Sequence, residues 1–372
     1  MIIKKIETFS TQNLCIVRVT TDDGFSGWGQ TAPITADITA QIVHRLLAPL
    51  VLGKSCDDMQ ALEDSCVDSR YTFHGTYLFR ALAGIDAALW DIKGKKEGKS
   101  VAQLFGSDRK FVDVYGSSMV KEVSPQWEVD RIKKLMQEQG IKAFKLHINK
   151  PGEYTYSLYE KDTDVYPGRT EELITLFRKT FGPDVPLMID SNGSFSVKRA
   201  IEIGHFFEDM GVEYFEEPCP YWDFEKNAAV AKALKVPIAG GEQDYNMAQW
   251  KRIIDSKSVY IAQPDIGYIG GFTRAMQVAK MTEDAGIICS PHNFTCSLLL
   301  VYCIHMNAIL KNGHPFLEYS IDPEEVDPWS NGLFTPFPDI HDGKVAVPQE
   351  PGWGVELNEE WLMKSSYAVS EI

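Results

Sequence analysis

Six acidic or histidine residues recur through the second half of the chain, each at the end of a short apolar run. They lie 23 to 27 residues apart, about the length of one strand–helix unit: Asp190, Glu216, Glu242, Asp265, His292 and Glu318. The carboxyl ends of successive parallel strands meet at one edge, so we expect these side chains to converge on one pocket. A sheet covered by helices has no face of its own toward water, and repeated acids there are costly unless something binds them.

Three of these carboxylates predict a metal site. Asp190, Glu216 and Glu242 end three successive runs and offer the hard oxygen ligands that suit Mg²⁺. Without a cation they would repel one another and raise each other's pKa. For any one of them alone the alternative is structural: Asp190, in DSNGS, could close a turn or cap a helix, and either glutamate could be a solvated loop residue. The three in register favour Mg²⁺.

The next two runs end in a carboxylate and a histidine. Asp265 and His292 should be neighbours, because their strands are adjacent along the chain. A carboxylate bonded to one imidazole nitrogen orients the ring and strengthens the other nitrogen as a base. His292 by itself would more often be a hydrogen-bonded structural histidine, but its placement beside Asp265 favours a catalytic dyad.

A second polar pair lies earlier, in KAFKLH. Lys145 and His147 are two residues apart and so point to the same side of a strand. Lys145 inside a barrel would be an unpaired charge unless it faces the carboxylates or an anionic substrate, whereas Lys142 should be solvated. The whole set suits abstraction of a proton next to a carboxylate, with the developing enediolate stabilised by the metal, Lys145 and a protonated Glu318.

The elements that must position these residues are eight short apolar runs alternating with helix-length amphipathic segments. The runs are FVDVYGSS, KAFKLH, PLMID, EYFEE, PIAGGE, VYIAQPD, GIICSPH and PFLEYS. Eight parallel strands with helical crossovers close a TIM-type (β/α) barrel. We therefore predict an α/β fold with a barrel over residues 111–320.

The flanking regions read differently. Residues 1–110 begin with alternating β-branched runs around an Asp22–Gly24 turn and continue into helices, which predicts an α+β capping domain. The clearest helix is TYLFRALAGIDAALWDIKGK, with Gly94 where a C-terminal cap belongs. Residues 321–372 are irregular and are expected to form a tail packed back over the barrel or the N-terminal sheet.

Composition excludes several classes of function. The 37 Lys and Arg against 52 Asp and Glu give a net charge of −15, which disfavours nucleic acid and anionic membrane surfaces as partners. No run approaches the length of a membrane span and the start of the chain lacks a signal-peptide core, so we expect a cytoplasmic protein. The seven scattered cysteines show no zinc spacing, and most of them are expected to be reduced core residues. No GxGxxG follows a strand, which disfavours a nicotinamide dehydrogenase.

The motifs resemble the enolase superfamily, and within it the mandelate racemase subgroup. The match covers nearly the whole chain, through ALAGIDAALWDIKGK, KLH, MIDSNGS, FEEPCP, AGGEQ, QPDIGYIGG, SPHNF and LEYS in the family's order. The resemblance implies Mg²⁺ at the three carboxylates, a His292/Asp265 dyad, and contact between Glu318 and the substrate carboxylate or enolate oxygen. It also implies that Asn192 lines the pocket and that N-terminal loops cover it. We expect those loops near 28–35 and 71–77, with His74 and Gln243 as further substrate contacts.

One departure from the family pattern bears on the reaction. The subgroup carries Lys-x-Lys on the second strand, with the second lysine as a base, and here His147 takes that place. A histidine is shorter and need not be cationic, which weakens racemisation and leaves dehydration in place. We therefore expect a Mg²⁺-dependent dehydratase for a sugar acid, a small carboxylate substrate, in a homo-oligomer. The alternatives are a racemase, epimerase or cycloisomerase, and a non-catalytic sugar-acid binding protein.

Overall fold

The computed structural model describes residues 1–148, 164–322 and 332–372. The N-terminal part opens with three antiparallel strands and continues into helices. The strands are β1 Ile3–Ser10, β2 Cys15–Thr21 and β3 Ser26–Gln30. The helices are α1 Ala36–Ile42, α2 Ala48–Val51, α3 Met59–Ser69, α4 Thr76–Glu97 and α5 Val101–Leu104, with a π-helical turn at Val43–Leu47 and a 3-10 turn at Tyr71–Phe73.

Helix α4 is buried on nearly all sides and joins this sheet to the rest of the chain. It packs against β3 on one side and against helices of the second half on the other. The approach to β3 requires glycine, because a Cβ at Gly29 would lie 2.0 Å from the carbonyl oxygen of Gly84. The prediction that Gly94 ends the helix is wrong: the helix continues to Glu97 and is capped by Gly98 in the left-handed conformation (φ 64°). Gly94 is instead a packing glycine, where a Cβ would meet Gly352 at 2.6 Å.

The second half of the chain is the predicted parallel sheet with crossover helices. Its strands are β4 Phe111–Ser118, β5 Phe144–His147, β6 Leu187–Asp190, β7 Tyr214–Glu216, β8 Ile238–Gly240, β9 Ile261–Ala262, β10 Ile288–Cys289 and β11 Phe316–Ser320. Its helices are α6 Pro125–Gln139, α7 Arg169–Phe181, α8 Val197–Asp209, α9 Phe224–Ala233, α10 Met247–Ser256, α11 Ile266–Ile269, α12 Phe272–Ala285 and α13 Leu298–Ile309. All eight predicted apolar runs contain one of these strands.

The strands curl into a barrel with the order β10-β9-β8-β7-β6-β5-β4-β11. The ring closes where the Cys289 amide donates to the Asn312 carbonyl and the His314 amide donates to the Cys289 carbonyl. The bottom of the interior is filled by a buried layer of inward-facing residues: Tyr115, Ala143, Met188, Tyr214, Ala239 and Ile261. Because side chains alternate along a strand, the residues two positions further on form the next layer, toward the carboxyl ends. The predicted TIM-type α/β fold is confirmed.

The C-terminal residues return to both halves. They comprise β12 Phe334–Thr335, β13 Lys344–Ala346, β14 Glu356–Leu357, α14 Glu359–Met363 and β15 Ser366–Glu371. Strand β13 pairs antiparallel with β4 of the barrel, and β15 pairs antiparallel with β1 of the N-terminal sheet. Residues 323–331 of the predicted tail lie outside the described residues.

One buried histidine links this tail to two helices. The Nδ1 atom of His305, on α13, accepts from the Ala102 amide at 3.1 Å, and its Nε2 lies 3.1 Å from the Trp353 carbonyl oxygen. Nδ1 must therefore be unprotonated, and burial lowers the pKa of His305 to about 4. All seven cysteines are buried and free, as predicted. Within the part of the chain that the structure describes, no helix has the length and apolar character needed to span a bilayer.

Candidate active site

A cavity of about 370 Å³ opens at the carboxyl ends of the barrel strands. Its polar lining residues are Lys121, His147, Asp190, Asn192, Glu217, Glu242, Gln243, His292 and Glu318. Its apolar side is formed by Ile34, Met119, Pro220, Tyr221, Trp222, Tyr268 and Phe294. Seven of the sequence-predicted site residues thus line one cavity, and Lys145, Glu216 and Asp265 lie in hydrogen-bond contact with them or with one another beneath it.

The predicted metal triad is brought together by strand register. Asp190 is aligned with Glu216 on β7, and Glu242 follows β8, which pairs with β7. One carboxylate oxygen from each of the three lies within 4.8 Å of the others, and all three residues are buried. Burial raises the pKa of Glu216 well above its ordinary value; Lys145 opposes this shift, and the carboxylates of Asp190, Glu318 and Glu242 add to it.

This arrangement fits a divalent cation. Converging oxygen donors at such separations are the ligands that Mg²⁺ takes, and three are few enough to leave places for water or substrate oxygens. The raised pKa of Glu216 is the electrostatic cost that a bound cation would relieve. Asp190, Glu216 and Glu242 are therefore the residues that would hold Mg²⁺.

Lys145 lies beneath the triad, fully buried on β5. Its Nζ is 2.9 and 3.0 Å from the two carboxylate oxygens of Glu216, 2.7 Å from Oε1 of Glu318 and 3.8 Å from Oδ2 of Asp190. Burial alone would lower the pKa of the lysine, but these carboxylates overcome it and raise that pKa well above its usual value. Lys145 is thus a cation at pH 7, paired as the sequence required.

Glu318 departs from one expectation. Its Oε1 accepts from the Ser117 hydroxyl at 2.8 Å, and its Oε2 accepts from the Asn293 amide at 3.0 Å. Burial raises its pKa, but Lys145 and His292 outweigh burial and the net shift is downward. The Lys145 ammonium at 2.7 Å therefore favours the ionised form of Glu318, whereas the sequence predicted a protonated carboxyl group.

The predicted dyad is present. His292 Nδ1 is 2.8 Å from Oδ2 of Asp265, and the two residues form a parallel bridge between neighbouring strand ends. The other oxygen of Asp265 accepts from the Tyr268 amide at 2.9 Å, which fixes the carboxylate. His292 Nε2 faces the cavity and lies 3.2 Å from Oε2 of Glu242. Burial would lower the pKa of His292, but Glu242 and Asp265 raise it to about 10.

His147 lies on the opposite wall. Its Nδ1 is 2.7 Å from the Ser118 carbonyl oxygen, which can only accept, so Nδ1 carries a proton. Its Nε2 is 2.8 Å from Oδ2 of Asp190. Burial raises the pKa of Asp190, but the charge and hydrogen bond of His147, together with Lys145, outweigh burial and lower it. The two histidines thus flank the triad from opposite sides, one oriented by a carboxylate and the other by a peptide carbonyl.

Asn192 and Gln243 reach the cavity as predicted. Asn192 has a left-handed backbone (φ 44°) and turns back on Asp190, whose two oxygens accept from its amide N–H at 2.7 Å and its Nδ2 at 3.0 Å. The Nε2 of Gln243 donates to Oε1 of Glu242 at 3.0 Å. Both side chains therefore hold a triad carboxylate as well as facing the cavity.

His74 is not brought to the cavity lining. Its ring packs edge-on against Phe79 at 4.9 Å between centroids and tilts against Tyr245 at 6.1 Å. The aromatic contacts hold it beside the start of α4, and none of the described residues 71–77 lines the cavity. In the other predicted loop, residues 28–35, Ile34 lines the cavity.

Sequence reasoning missed three residues of the site. Lys121, three positions beyond β4, lines the cavity with its Nζ 2.9 Å from Oδ1 of Asn192. Glu217 has a left-handed backbone (φ 41°), and burial followed by Glu242 raises its pKa well above the ordinary value. Gln263 donates to Oε2 of Glu216 at 2.7 Å from beneath. The signals were available: Lys121 follows the first strand as the other residues follow theirs, and Gln263 lies two residues before Asp265.

Both halves of the chain match known protein families. Residues 3–106 match the mandelate racemase / muconate lactonizing enzyme N-terminal domain, and residues 127–361 match the enolase C-terminal domain-like family. Together they cover most of the protein. The chain therefore belongs to the enolase superfamily and, within it, to the mandelate racemase / muconate lactonizing enzyme family, and the resemblance inferred from its motifs is confirmed.

Individual relatives match the whole chain or nearly the whole of it. An arabinonate dehydratase of Saccharolobus solfataricus is 26% identical over 359 residues, covering 93% of this chain and 90% of the relative. A crystal structure from Roseobacter denitrificans, described provisionally as a racemase, is 42% identical with a TM-score of 0.96 and full coverage of both chains. A mandelate racemase/muconate lactonizing protein from Paracoccus denitrificans, complexed with magnesium, is 28% identical with a TM-score of 0.89, covering 100% of this chain and 98% of that one. The protein is an enzyme of this family.

Proposed function

We propose that the protein is a Mg²⁺-dependent hydro-lyase that removes water from an acid sugar and yields a 2-keto-3-deoxy acid. The likeness to an arabinonate dehydratase supports this reaction, and the polar cavity with its cluster of charges supports a polyhydroxy carboxylate as substrate. The proposed roles of the site residues follow from their contacts.

The observation that carries the proposal is the inequality of the two histidines. His292 is oriented by the Asp265 carboxylate, which strengthens Nε2 as a proton acceptor, whereas His147 is oriented by the neutral carbonyl of Ser118. Inversion at one carbon needs two competent bases on opposite walls. Dehydration needs one strong acid/base residue that removes the α-proton and then returns a proton to the leaving hydroxyl.

The chain's own groups can perform this sequence. His292 Nε2 takes the proton from the carbon next to the carboxylate, and the resulting imidazolium is stabilised by Asp265 at 2.8 Å. The same imidazolium then donates a proton to the hydroxyl that leaves the next carbon as water. Glu242 is the largest contributor to the raised pKa of His292, so a cation held by that carboxylate would lower this pKa and leave Nε2 free to take the proton.

Lys145, held in place by Glu318, is the group that stabilises the negative charge of the reacting carboxylate. The Lys145 ammonium, whose N–H groups are held by Glu216 and Glu318, places a fixed positive charge beneath the cavity that stabilises negative charge developing on substrate oxygens. Glu318 fixes that ammonium at 2.7 Å. When bound, Mg²⁺ at Asp190, Glu216 and Glu242 would add positive charge beside the substrate carboxylate and make the neighbouring proton more acidic.

A second candidate function is racemisation or epimerisation. The observation that favours it is the placement of both Nε2 atoms against the triad, 2.8 Å from Asp190 for His147 and 3.2 Å from Glu242 for His292. The Roseobacter denitrificans structure, described provisionally as a racemase, agrees with it.

A screen of aldonic and aldaric acids with Mg²⁺ tests the proposal. Dehydration releases a 2-keto acid that semicarbazide detects, and we expect it with at least one acid sugar and not with the same protein treated with a chelator. Interconversion of epimers without keto acid would replace this proposal with the second candidate.

A further inference from the structure

Lys121 is a buried cation that lines the active-site cavity. It lies three residues beyond the end of β4, on the wall that also carries His147, and is 9% exposed. Among the described residues that line the cavity there is no second lysine and no arginine. Its position is therefore that of a residue aimed at the contents of the cavity.

The ammonium has a neutral partner and no carboxylate in contact. Its one hydrogen bond among the described residues goes to Oδ1 of Asn192 at 2.9 Å. No described carboxylate lies within 4.0 Å of it, although Asp190, Glu242 and Asp322 act on it from further away and Lys145 repels it. Asp322, two residues beyond β11, instead accepts a hydrogen bond from the Met119 amide at 2.9 Å.

The orientation of Asn192 leaves this ammonium with spare donors. Because Nδ2 of Asn192 donates to Asp190, the amide oxygen must face Lys121 and accepts one of its N–H groups. An ammonium has three donors, and burying one without a counter-ion is costly. A ligand oxygen in the cavity is the group that would satisfy it.

We propose that Lys121 binds an oxygen substituent of the acid-sugar substrate and thereby determines which acid sugars the enzyme accepts. This inference rests on the proposed function and deepens it by naming the specificity residue. The acceptor is either a hydroxyl of the carbon chain or a second carboxylate, since both offer oxygen to an ammonium. Lys121 lies on the Asp190 side of the triad, whereas the dyad lies on the Glu242 side, so the bound oxygen projects away from His292.

The test is equilibrium binding in a protein that cannot turn over. In a His292→Asn background with Mg²⁺, Kd values for matched aldonic and aldaric acids are measured by calorimetry for Lys121, Lys121→Met and Lys121→Gln. Loss of a charged hydrogen bond should raise the Kd of the preferred acid about tenfold to a hundredfold in both variants. Lys121→Arg should recover part of the affinity. If Lys121 meets a second carboxylate, aldaric acids lose more affinity than aldonic acids; if it meets a hydroxyl, both lose equally.

The matched control is Lys142→Met, which removes an exposed lysine near β5 whose side chain is 64% accessible. It should leave every Kd unchanged. The Kd of Mg²⁺ itself, measured without acid sugar, should stay within about twofold in the Lys121 variants. Acid-sugar Kd values within twofold of the parent, or an equal loss of Mg²⁺ affinity through Asn192, would overturn the inference. If one variant does not fold, the other carries the comparison.

The outcome is separable from that of the proposed function. Binding that depends on Lys121 in a protein whose unmodified form makes no keto acid would keep this inference and reject dehydration. Keto-acid formation together with acid-sugar binding that does not depend on Lys121 would keep dehydration and reject this inference.

Discussion

Replacing Lys145 by methionine should destabilise the protein strongly when no metal is bound. The ammonium lies within 3.0 Å of Glu216 and Glu318 and 3.8 Å from Asp190, and all of these groups are buried. Methionine nearly matches the volume of the lysine side chain, so repacking alone should cost less than about 1.5 kcal/mol. What the substitution removes is the positive charge that compensates three carboxylates.

The magnitude follows from the geometry. Removing one partner of a buried ion pair costs about 3–5 kcal/mol, because the remaining charge stays out of water without compensation. Lys145 has two close partners and a third nearby, so the free energy of unfolding should fall by at least this amount in the presence of a chelator. Saturating Mg²⁺ should return part of it, since a cation would then compensate the same carboxylates.

The assay is urea unfolding of the wild type and Lys145→Met, each with chelator and with Mg²⁺. Lys142→Met is the control, because its ammonium is exposed and 4.0 Å from Asp342, and it should change the free energy of unfolding by less than about 0.5 kcal/mol. A decrease below about 1 kcal/mol for Lys145→Met in chelator would refute the account of the buried charges.

Three further predictions concern the triad, the dyad and the buried histidine of α13. At a Mg²⁺ concentration 100 times its Kd, the free energy of unfolding of the wild type should rise by about 2.7 kcal/mol. Glu216→Gln should fold, should be stabilised little by Mg²⁺ and should show no turnover. Full activity in that variant would reject the ligand assignment. His292→Asn should abolish dehydration and Asp265→Asn should reduce it, as measured by keto-acid release, and undiminished turnover in the first would make that histidine structural. Burial lowers the pKa of His305 to about 4, so folding favours the neutral imidazole. The contribution of this neutral form to the free energy of unfolding is complete above pH 6.5, the ordinary pKa of histidine. About 3 kcal/mol of it is lost as the pH falls toward 4. His305→Gln should remove that part of the pH dependence of unfolding, and an unchanged profile would contradict it.

Much of the barrel could be predicted because its signals are local and repeat. Each buried parallel strand is a short apolar run, and a polar residue facing the mouth lies at its end or within three residues of it, so residue type and spacing identified both Asp190 and His292. The period of two along β5 likewise placed Lys145 and His147 on one side.

What could not be predicted depends on contacts between distant segments. The end of α4 looked set by Gly94, but that glycine serves close packing with Gly352 and the helix ends at Gly98. His74 was predicted to contact substrate because it is a polar residue in a predicted loop, but in the fold its ring packs against aromatic rings. The charge of Glu318 depends on a lysine 173 positions earlier in the chain, at 2.7 Å.

Specificity could be predicted least. The position of Lys121 just beyond the first strand is a sequence signal for the site, but its burial and its bond to Asn192 depend on contacts between segments that are distant in the chain. The two histidines differ in the group that orients each ring, and this difference also depends on contacts between strands. The Ser118 carbonyl that orients His147 comes from the neighbouring strand.

The most direct test of the central claim is the fate of the α-proton when the preferred acid sugar reacts in D₂O with Mg²⁺. The product is followed by proton NMR alongside a keto-acid assay, for the wild type and for His292→Asn. The account predicts a 2-keto-3-deoxy acid carrying solvent deuterium at the third carbon, formed by the wild type and not by the variant. An epimer deuterated at the α-carbon, with no keto acid, would contradict it.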